Sequence, residues 1–235
     1  MRRWCWNIRG FSHPLSRATL ALLKKTTLAL VMAGIILSTL HQSSLGSLFL
    51  IAPHRLHPLW YSPVIYVLFF ISAVALGLMT VTLESLLTGL LFGHRIRVTL
   101  LSRLGMAACA VLGLYAAVRL GDLAIRGVLG RAFDGSWQAS LFLFEMLISA
   151  ILPGALLAVR RIRTSVAGLA VCSSLTVAGM VLNRLSVCIL AFERPEGMTY
   201  FPTWTELAVT LGILSAMALV FIFFVERLRV YEPDE

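Results

Sequence analysis

Pro63-Val-Ile-Tyr-Val-Leu-Phe-Phe-Ile-Ser-Ala-Val-Ala-Leu-Gly-Leu-Met-Thr-Val-Thr-Leu-Glu84 decides the fold. Between Pro63 and Glu84 no residue carries a charge, and an α-helix of roughly 20 apolar residues spans the ~30 Å hydrocarbon core of a bilayer. Similar runs occur on both sides of it. They predict helices over 26–52, 63–90, 98–125, 138–159, 164–191 and 203–226. Pro53, Pro58 and Pro63 break the first connection. Gly93 to Arg97 mark the second, Gly127 to Gly135 the third, Arg160 to Arg163 the fourth, and Pro195, Gly197 and Pro202 the fifth. The expected fold is all-α, a polytopic transmembrane bundle of about six helices. A basic tail over 1–25 precedes the membrane domain (26–226), and a short tail over 227–235 follows it.

Composition agrees. Of 235 residues, 59% are hydrophobic and 13% charged, with a mean hydropathy of +0.89. Soluble domains are roughly 45–50% apolar and about 25% charged. The net charge of +9 does not point to nucleic acid, because the basic residues sit in short loops between apolar runs. Fourteen lysines and arginines fall on one side of the six predicted crossings. They lie in the N-terminal tail, at Arg95, Arg97 and Arg103, at Arg160, Arg161 and Arg163, and at Arg227 and Arg229. Four (Arg55, Arg126, Arg131, Arg194) fall on the other. The bias puts both termini in the cytoplasm. Trp60, Tyr61, Trp137, Tyr200 and Trp204 then fall near the outer interface. No small-residue cleavage site follows the first apolar run, so it reads as a retained helix.

Ionisable residues within apolar helices are costly and need a partner, a wet cavity or a task. His41, Glu84, Arg119, Asp122, Glu145, Arg184 and Glu206 are such residues. All but Glu84 map to the outer half. The first helix carries a polar band, Thr39-Leu-His41-Gln42-Ser43-Ser44-Leu-Gly46, with His41 and Ser44 on one face and Gln42 and Gly46 on another. Helix–helix hydrogen bonding is one reading. The other is proton exchange with a quinone, whose reduction takes two electrons and two protons and suits a titratable imidazole. Arg119 and Asp122, three apart, are expected to pair, as are Glu145 and Arg184 on adjacent helices. Glu84, beside Thr80 and Thr82, is the candidate for proton entry from the cytoplasm. Glu206 follows Pro202 in a first helical turn, where a carboxylate is favoured. Pro153 is expected to kink the fourth helix.

The cysteines, Cys5, Cys109, Cys172 and Cys188, form no C-x-x-C pair, which argues against an iron–sulfur or zinc site. Bis-histidine haem needs two imidazoles inside the bundle. Only His41 falls within a predicted helix, while His13, His54, His57 and His94 fall in the tail or loops, so no haem is expected.

Three stretches carry a resemblance: Leu37 to Pro53; Leu56-His-Pro-Leu-Trp60-Tyr61-Ser-Pro63 running on to Ala73 and Glu84-Ser85; and Tyr200-Phe-Pro-Thr-Trp204-Thr-Glu206 to Gly212. Arg119-Leu-Gly121-Asp122 fits the same pattern. Together they resemble the polysulfide reductase/NrfD-like membrane subunits, and within these the Ni/Fe-hydrogenase b-type cytochrome branch. The resemblance implies a multi-pass protein of the bacterial inner membrane with quinone (menaquinone or ubiquinone) as substrate and no haem. It also implies a ferredoxin-type iron–sulfur partner and a nickel–iron hydrogenase or related catalytic subunit. The quinone or proton-exchange candidates, read from the polar residues within the predicted helices, are His41, Gln42, Ser44, Glu84, Arg119, Asp122, Glu145 and Arg184. The chain resembles the C-terminal portion of such proteins, so a truncated or split gene is expected. An anchor without its own quinone site and an ion transporter are the alternatives. Neither inverted repeats nor paired broken helices, the marks of a transporter, are present.

Overall fold

The computed structural model describes residues 14–92, 96–193 and 203–227. It contains six helices long and apolar enough to cross a membrane: Lys25–Leu48, Ile65–Leu91, Val98–Ile125, Trp137–Ala158, Val166–Leu190 and Trp204–Phe224. No strand is present among the described residues. The chain divides into two compact units, residues 1–193 and 194–235. The fifth connection, Pro195 to Pro202, lies outside the described residues, as do Tyr200, His13 and His94.

In the first unit α1 is Pro14–Ser47, α2 Ile65–Phe92 and α3 Val98–Ile125. Helical backbone thus begins twelve residues before the predicted start of the first helix, and a short 3-10 turn, Leu48–Leu50, ends it. The fourth crossing comprises α4 (Trp137–Met146), a π turn (Leu147–Ile151) and α5 (Leu152–Ala158). Pro153 has no N–H to donate, and the widened turn lies immediately upstream of it. A four-residue turn, α6 (Arg160–Arg163), leads to α7 (Val166–Leu185), which ends in a second π turn, Ser186–Leu190. Ser136 and Ser165 cap α4 and α7, accepting from the N–H groups of Ala139 and Gly168.

The four crossings from Ile65 to Leu190 each bury a stripe at three- and four-residue intervals, whereas Lys25–Leu48 and Trp204–Phe224 bury no such stripe. In α3 it is Leu101, Gly105, Ala108, Leu112, Tyr115, Arg119 and Leu123. In α7 it is Leu169, Cys172, Ser173, Thr176, Gly179, Met180 and Asn183. In both, the stripe is small or apolar through the bundle and turns polar near the end that meets the 48–64 connection, here the Trp60 end. Small residues allow the backbones to approach closely, which is how membrane helices gain packing energy. At Gly179 an added Cβ would lie 2.5 Å from Ser149 Cα and 2.6 Å from Ser149 N, so α7 crosses directly against the first π turn.

The 48–64 connection packs onto the end of the bundle. Leu56 and Phe192 form an antiparallel bridge. The His57 N–H donates to the Ala191 carbonyl at 2.9 Å, and the Glu193 N–H to the Arg55 carbonyl at 2.7 Å. Trp60 and Leu59 are fully buried there with Phe69, Leu123 and Phe142.

The second unit contains α8, Trp204–Arg227. Glu206 closes a capping box: its carboxylate accepts from the Thr203 N–H at 2.9 Å, satisfying a backbone donor that the helix start leaves open.

Gly179→Val is expected to destabilise the bundle by about 1–3 kcal/mol, the usual cost of overpacking. Detergent-solubilised thermal unfolding measures it. Gly113→Ala, where an added Cβ meets nothing within 4 Å, serves as the silent control.

Candidate functional site

The polar ends of the buried stripes meet beneath Trp60. Glu145, 3% exposed on α4, accepts from two nitrogens. The Trp60 indole Nε1–H donates to its Oε2 at 3.1 Å, and the Asn183 Nδ2–H to its Oε1 at 2.6 Å. The Asn183 Oδ1 in turn accepts from Arg184 Nη1 at 3.0 Å. Arg184 reaches across to α2, donating to Ser72 Oγ at 2.6 Å, and its guanidinium lies 3.7 Å from the Phe69 ring centroid. Arg119, 3% exposed on α3, donates to the Leu59 carbonyl at 2.9 Å and the Trp60 carbonyl at 3.3 Å, and lies over Phe142. One network therefore joins α2, α3, α4 and α7 to the 48–64 connection.

The expected pairings are corrected by this geometry. Asp122 pairs not with Arg119 but with Arg126, one turn further, at 2.8 Å. Arg126 also donates to the Pro58 carbonyl at 3.0 Å. Arg119 belongs to the buried stripe of α3 and turns inward, whereas Asp122 is half-buried at its edge. Glu145 and Arg184 are linked through Asn183 rather than face to face. Trp60, expected at the interface, is fully buried; Trp137 is 57% exposed. Asn183 and Ser72 were not singled out from the sequence. Their signal was a polar side chain next to a charge (Asn183-Arg184) or one turn from an aromatic in an apolar run.

The cavity within the network is about 10 Å³, lined by Trp60, Tyr115, Arg119, Asn183 and Arg184 among others. That is room for about one water and far too little for an aromatic ring.

A second concavity lies between α1 and α2. It measures about 400 Å³ and is lined by Gly34, Ser38, Thr39, Gln42, Ala73, Gly77, Thr80 and apolar neighbours. Ligand sites run to roughly 300–1,000 Å³. Four small residues open this groove, and Gln42, Thr39 and Thr80 give it polar atoms. The Thr39 hydroxyl proton is directed to the Ile35 and Ile36 carbonyls, so its oxygen can act only as an acceptor. His41 and Ser44 lie on exposed parts of α1 beside the groove, and Glu84 is exposed on α2, four residues beyond Thr80. Of the candidates, Gln42 lines the groove, His41, Ser44 and Glu84 are exposed on α1 and α2 outside its lining, and Arg119, Asp122, Glu145 and Arg184 lie at the Trp60 end. Phe69 lies between: an added Cβ on Gly46 would meet its Cγ at 2.8 Å, and Arg184 stacks on its ring.

A family model described as polysulphide reductase, NrfD, matches residues 7–195. The chain belongs to the NrfD family. A protein of Nitratidesulfovibrio vulgaris (strain Hildenborough) is 39% identical over 229 residues, covering 89% of this chain and 56% of that protein. The probable Ni/Fe-hydrogenase 2 b-type cytochrome subunit of Escherichia coli (strain K12) is 29% identical over 220 residues, covering 92% of this chain and 56% of that protein. This NrfD chain therefore spans little more than half the length of each relative. No solved structure matches it. The phrase "b-type cytochrome" in a relative's name raises a haem. Among the described residues of this NrfD chain, His41 is the one histidine in a spanning helix, and His54 and His57 lie in the connection. These do not supply two facing axial ligands.

Trp60→Phe keeps an aromatic ring, though a smaller one, and removes the indole donor, leaving Glu145 short of a partner. A cost of about 1–3 kcal/mol is expected, read as lowered thermal stability in detergent. The connection also titrates. Burial lowers the His57 pKa below its ordinary 6.5, against an opposing pull from Glu193, and its Nδ1 accepts from the Leu59 N–H at 3.3 Å. A base with a depressed folded pKa takes up its proton in the unfolded chain first. Its contribution to stability is complete above pH 6.5 and fades as pH falls below it. His57→Gln is expected to flatten that part of the stability–pH curve.

Proposed function

We propose that this chain is the membrane subunit of a quinone-linked oxidoreductase complex of the hydrogenase type. Electrons pass between a ferredoxin-type iron–sulfur subunit at the Trp60 end and quinone held in the α1–α2 groove. The observation that carries the reading is the groove itself, in a chain of the NrfD family. It is a concavity of ligand size between two spanning helices, and its polar atoms match the two states of a quinone. A quinone carbonyl accepts a hydrogen bond, which the Gln42 amide donates. A quinol hydroxyl donates one, which Thr39 Oγ1 or the Gln42 carbonyl accepts.

The overall step adds two electrons and two protons to the quinone and yields quinol. Electrons come from the iron–sulfur partner, which takes them from a nickel–iron hydrogenase or related catalytic subunit. His41, adjacent in sequence to Gln42, is the near proton exchanger. Glu84, on the groove side of α2 and toward the end that the lysine–arginine bias assigns to the cytoplasm, is the proposed proton entry. The Arg119–Trp60–Glu145–Asn183–Arg184 network is assigned a holding role. It fixes the connection that forms the floor for the partner, and Phe69 ties it to α1. The inner membrane of a bacterium is the proposed setting, with both termini cytoplasmic. A second reading, an anchor without quinone chemistry, fits the Trp60 network, which fixes the connection for a partner whether or not the groove is filled.

In the intact complex, Gln42→Leu is expected to cut quinone-linked turnover about tenfold, the effect of losing roughly one hydrogen bond in the transition state. Turnover with a soluble dye that bypasses the membrane subunit is expected to stay unchanged. His41→Ala is expected to behave likewise, with the complex still assembled. Unchanged quinone turnover in both variants favours the anchor.

A further inference from the structure

We propose that the N-terminal end of α3 carries a binding site for the phosphate headgroup of an anionic phospholipid, independent of the quinone groove. A concavity of about 600 Å³ lies there, lined by Ile96, Arg97, Val98, Thr99, Leu100 and Arg103. Arg97 and Arg103 are both exposed. Neither has a carboxylate partner among the described residues, where the ion pair found is Arg126–Asp122 at the opposite end of α3. Two unneutralised guanidiniums and a hydroxyl around one hollow are the chemistry that holds a phosphodiester, since the guanidinium fork matches phosphate oxygens.

The same helix face distinguishes a lipid from a free phosphate. Counting on from Arg103 by three and four residues gives Met106, Ala107, Ala110, Leu114 and Ala117, all exposed. Met106 and Leu114 stand out at 54% and 52% exposure, with the alanines forming a low track between them. An anion held at Arg103 would lay its acyl chain along that track. A free phosphate has no use for it. The position also fits: this end of the bundle is the one whose arginine excess assigns it to the cytoplasmic leaflet, where clustered arginines beside a spanning helix suit anionic headgroups.

The test is native mass spectrometry of the full chain in detergent, titrated with phosphatidylglycerol, with phosphatidylethanolamine, or with inorganic phosphate. Phosphatidylglycerol is expected to bind at one saturable site, with phosphatidylethanolamine much weaker. The double variant Arg97→Gln/Arg103→Gln is expected to weaken phosphatidylglycerol roughly thirtyfold, while Arg160→Gln/Arg161→Gln, which removes equal charge elsewhere at the same end, leaves it intact. Arg103→Lys, which keeps the charge, is expected to retain most of the binding and shows that losses are not misfolding. Ala107→Leu/Ala110→Leu is expected to weaken the long-chain lipid and spare inorganic phosphate. Equal losses in the two charge-removing doubles, equal binding of both lipids, or full displacement by millimolar inorganic phosphate would each overturn the proposal.

Discussion

The carboxyl group of Glu145 has to be satisfied where neither water nor lipid can do it. A polar group left unpaired in an apolar interior costs several kcal/mol, and everything at the Trp60 end is arranged around that constraint. One oxygen takes the indole N–H of a loop residue, the other the amide of a residue on α7. Neither donor can move without exposing the carboxyl. The connection between α1 and α2 is therefore held as firmly as a helix, and Arg119 reinforces it by occupying the carbonyls of Leu59 and Trp60. Networks of this kind are high-stakes, because each member is costly to orphan.

The constraint propagates into the helices. Both π turns, 147–151 and 186–190, begin two residues beyond a member of the network, Glu145 and Arg184 respectively. A widened turn changes the rotation of the chain by part of a residue, which re-aims what lies on either side of it. On α7 that change lies between Arg184, facing Ser72, and Ala191, which receives the His57 N–H. On α4 the turn follows Glu145 and itself carries Ser149, the residue against which Gly179 crosses. Rigidity at one end contrasts with the α1–α2 groove, where small residues leave open space and the lining is mostly apolar. A site that must admit a lipid-soluble ring and release it benefits from being outside the network, with Phe69 as the contact that joins the two regions.

The number of crossings and their approximate limits were legible because length and hydropathy decide them. The break at Pro153 was legible too, since a missing N–H has one local consequence. Partner choice was not. Spacing allowed Arg119 to meet Asp122, but the stripe position of Arg119 turned it inward, and Arg126 took the carboxylate one turn on. The apolar surroundings of Glu145 and Arg184 show in the sequence that both need partners, yet the residue that joins them, Asn183, carries no charge to mark it. Trp60 looked like an interfacial aromatic, and only the tertiary fold shows its indole buried against a carboxyl. The 3.6-residue period did contain more than was taken from it: Arg119 falls on the same register as Leu101, Ala108 and Leu112, which marks it as buried. The start of α1 at Pro14 shows a different limit, since basic residues that end a membrane span need not end a helix.

The proposed division of labour between a rigid polar end and a separate quinone groove is tested most directly by photolabelling. An azido-quinone is irradiated with the intact complex in membranes, and the labelled peptides are mapped by mass spectrometry. Labels competed away by excess quinone are expected on residues 34–42 of α1 and 73–81 of α2. Labels confined to the neighbourhood of Trp60, Tyr115 and Arg184, with none on α1, would contradict that division and place the chemistry inside the network instead.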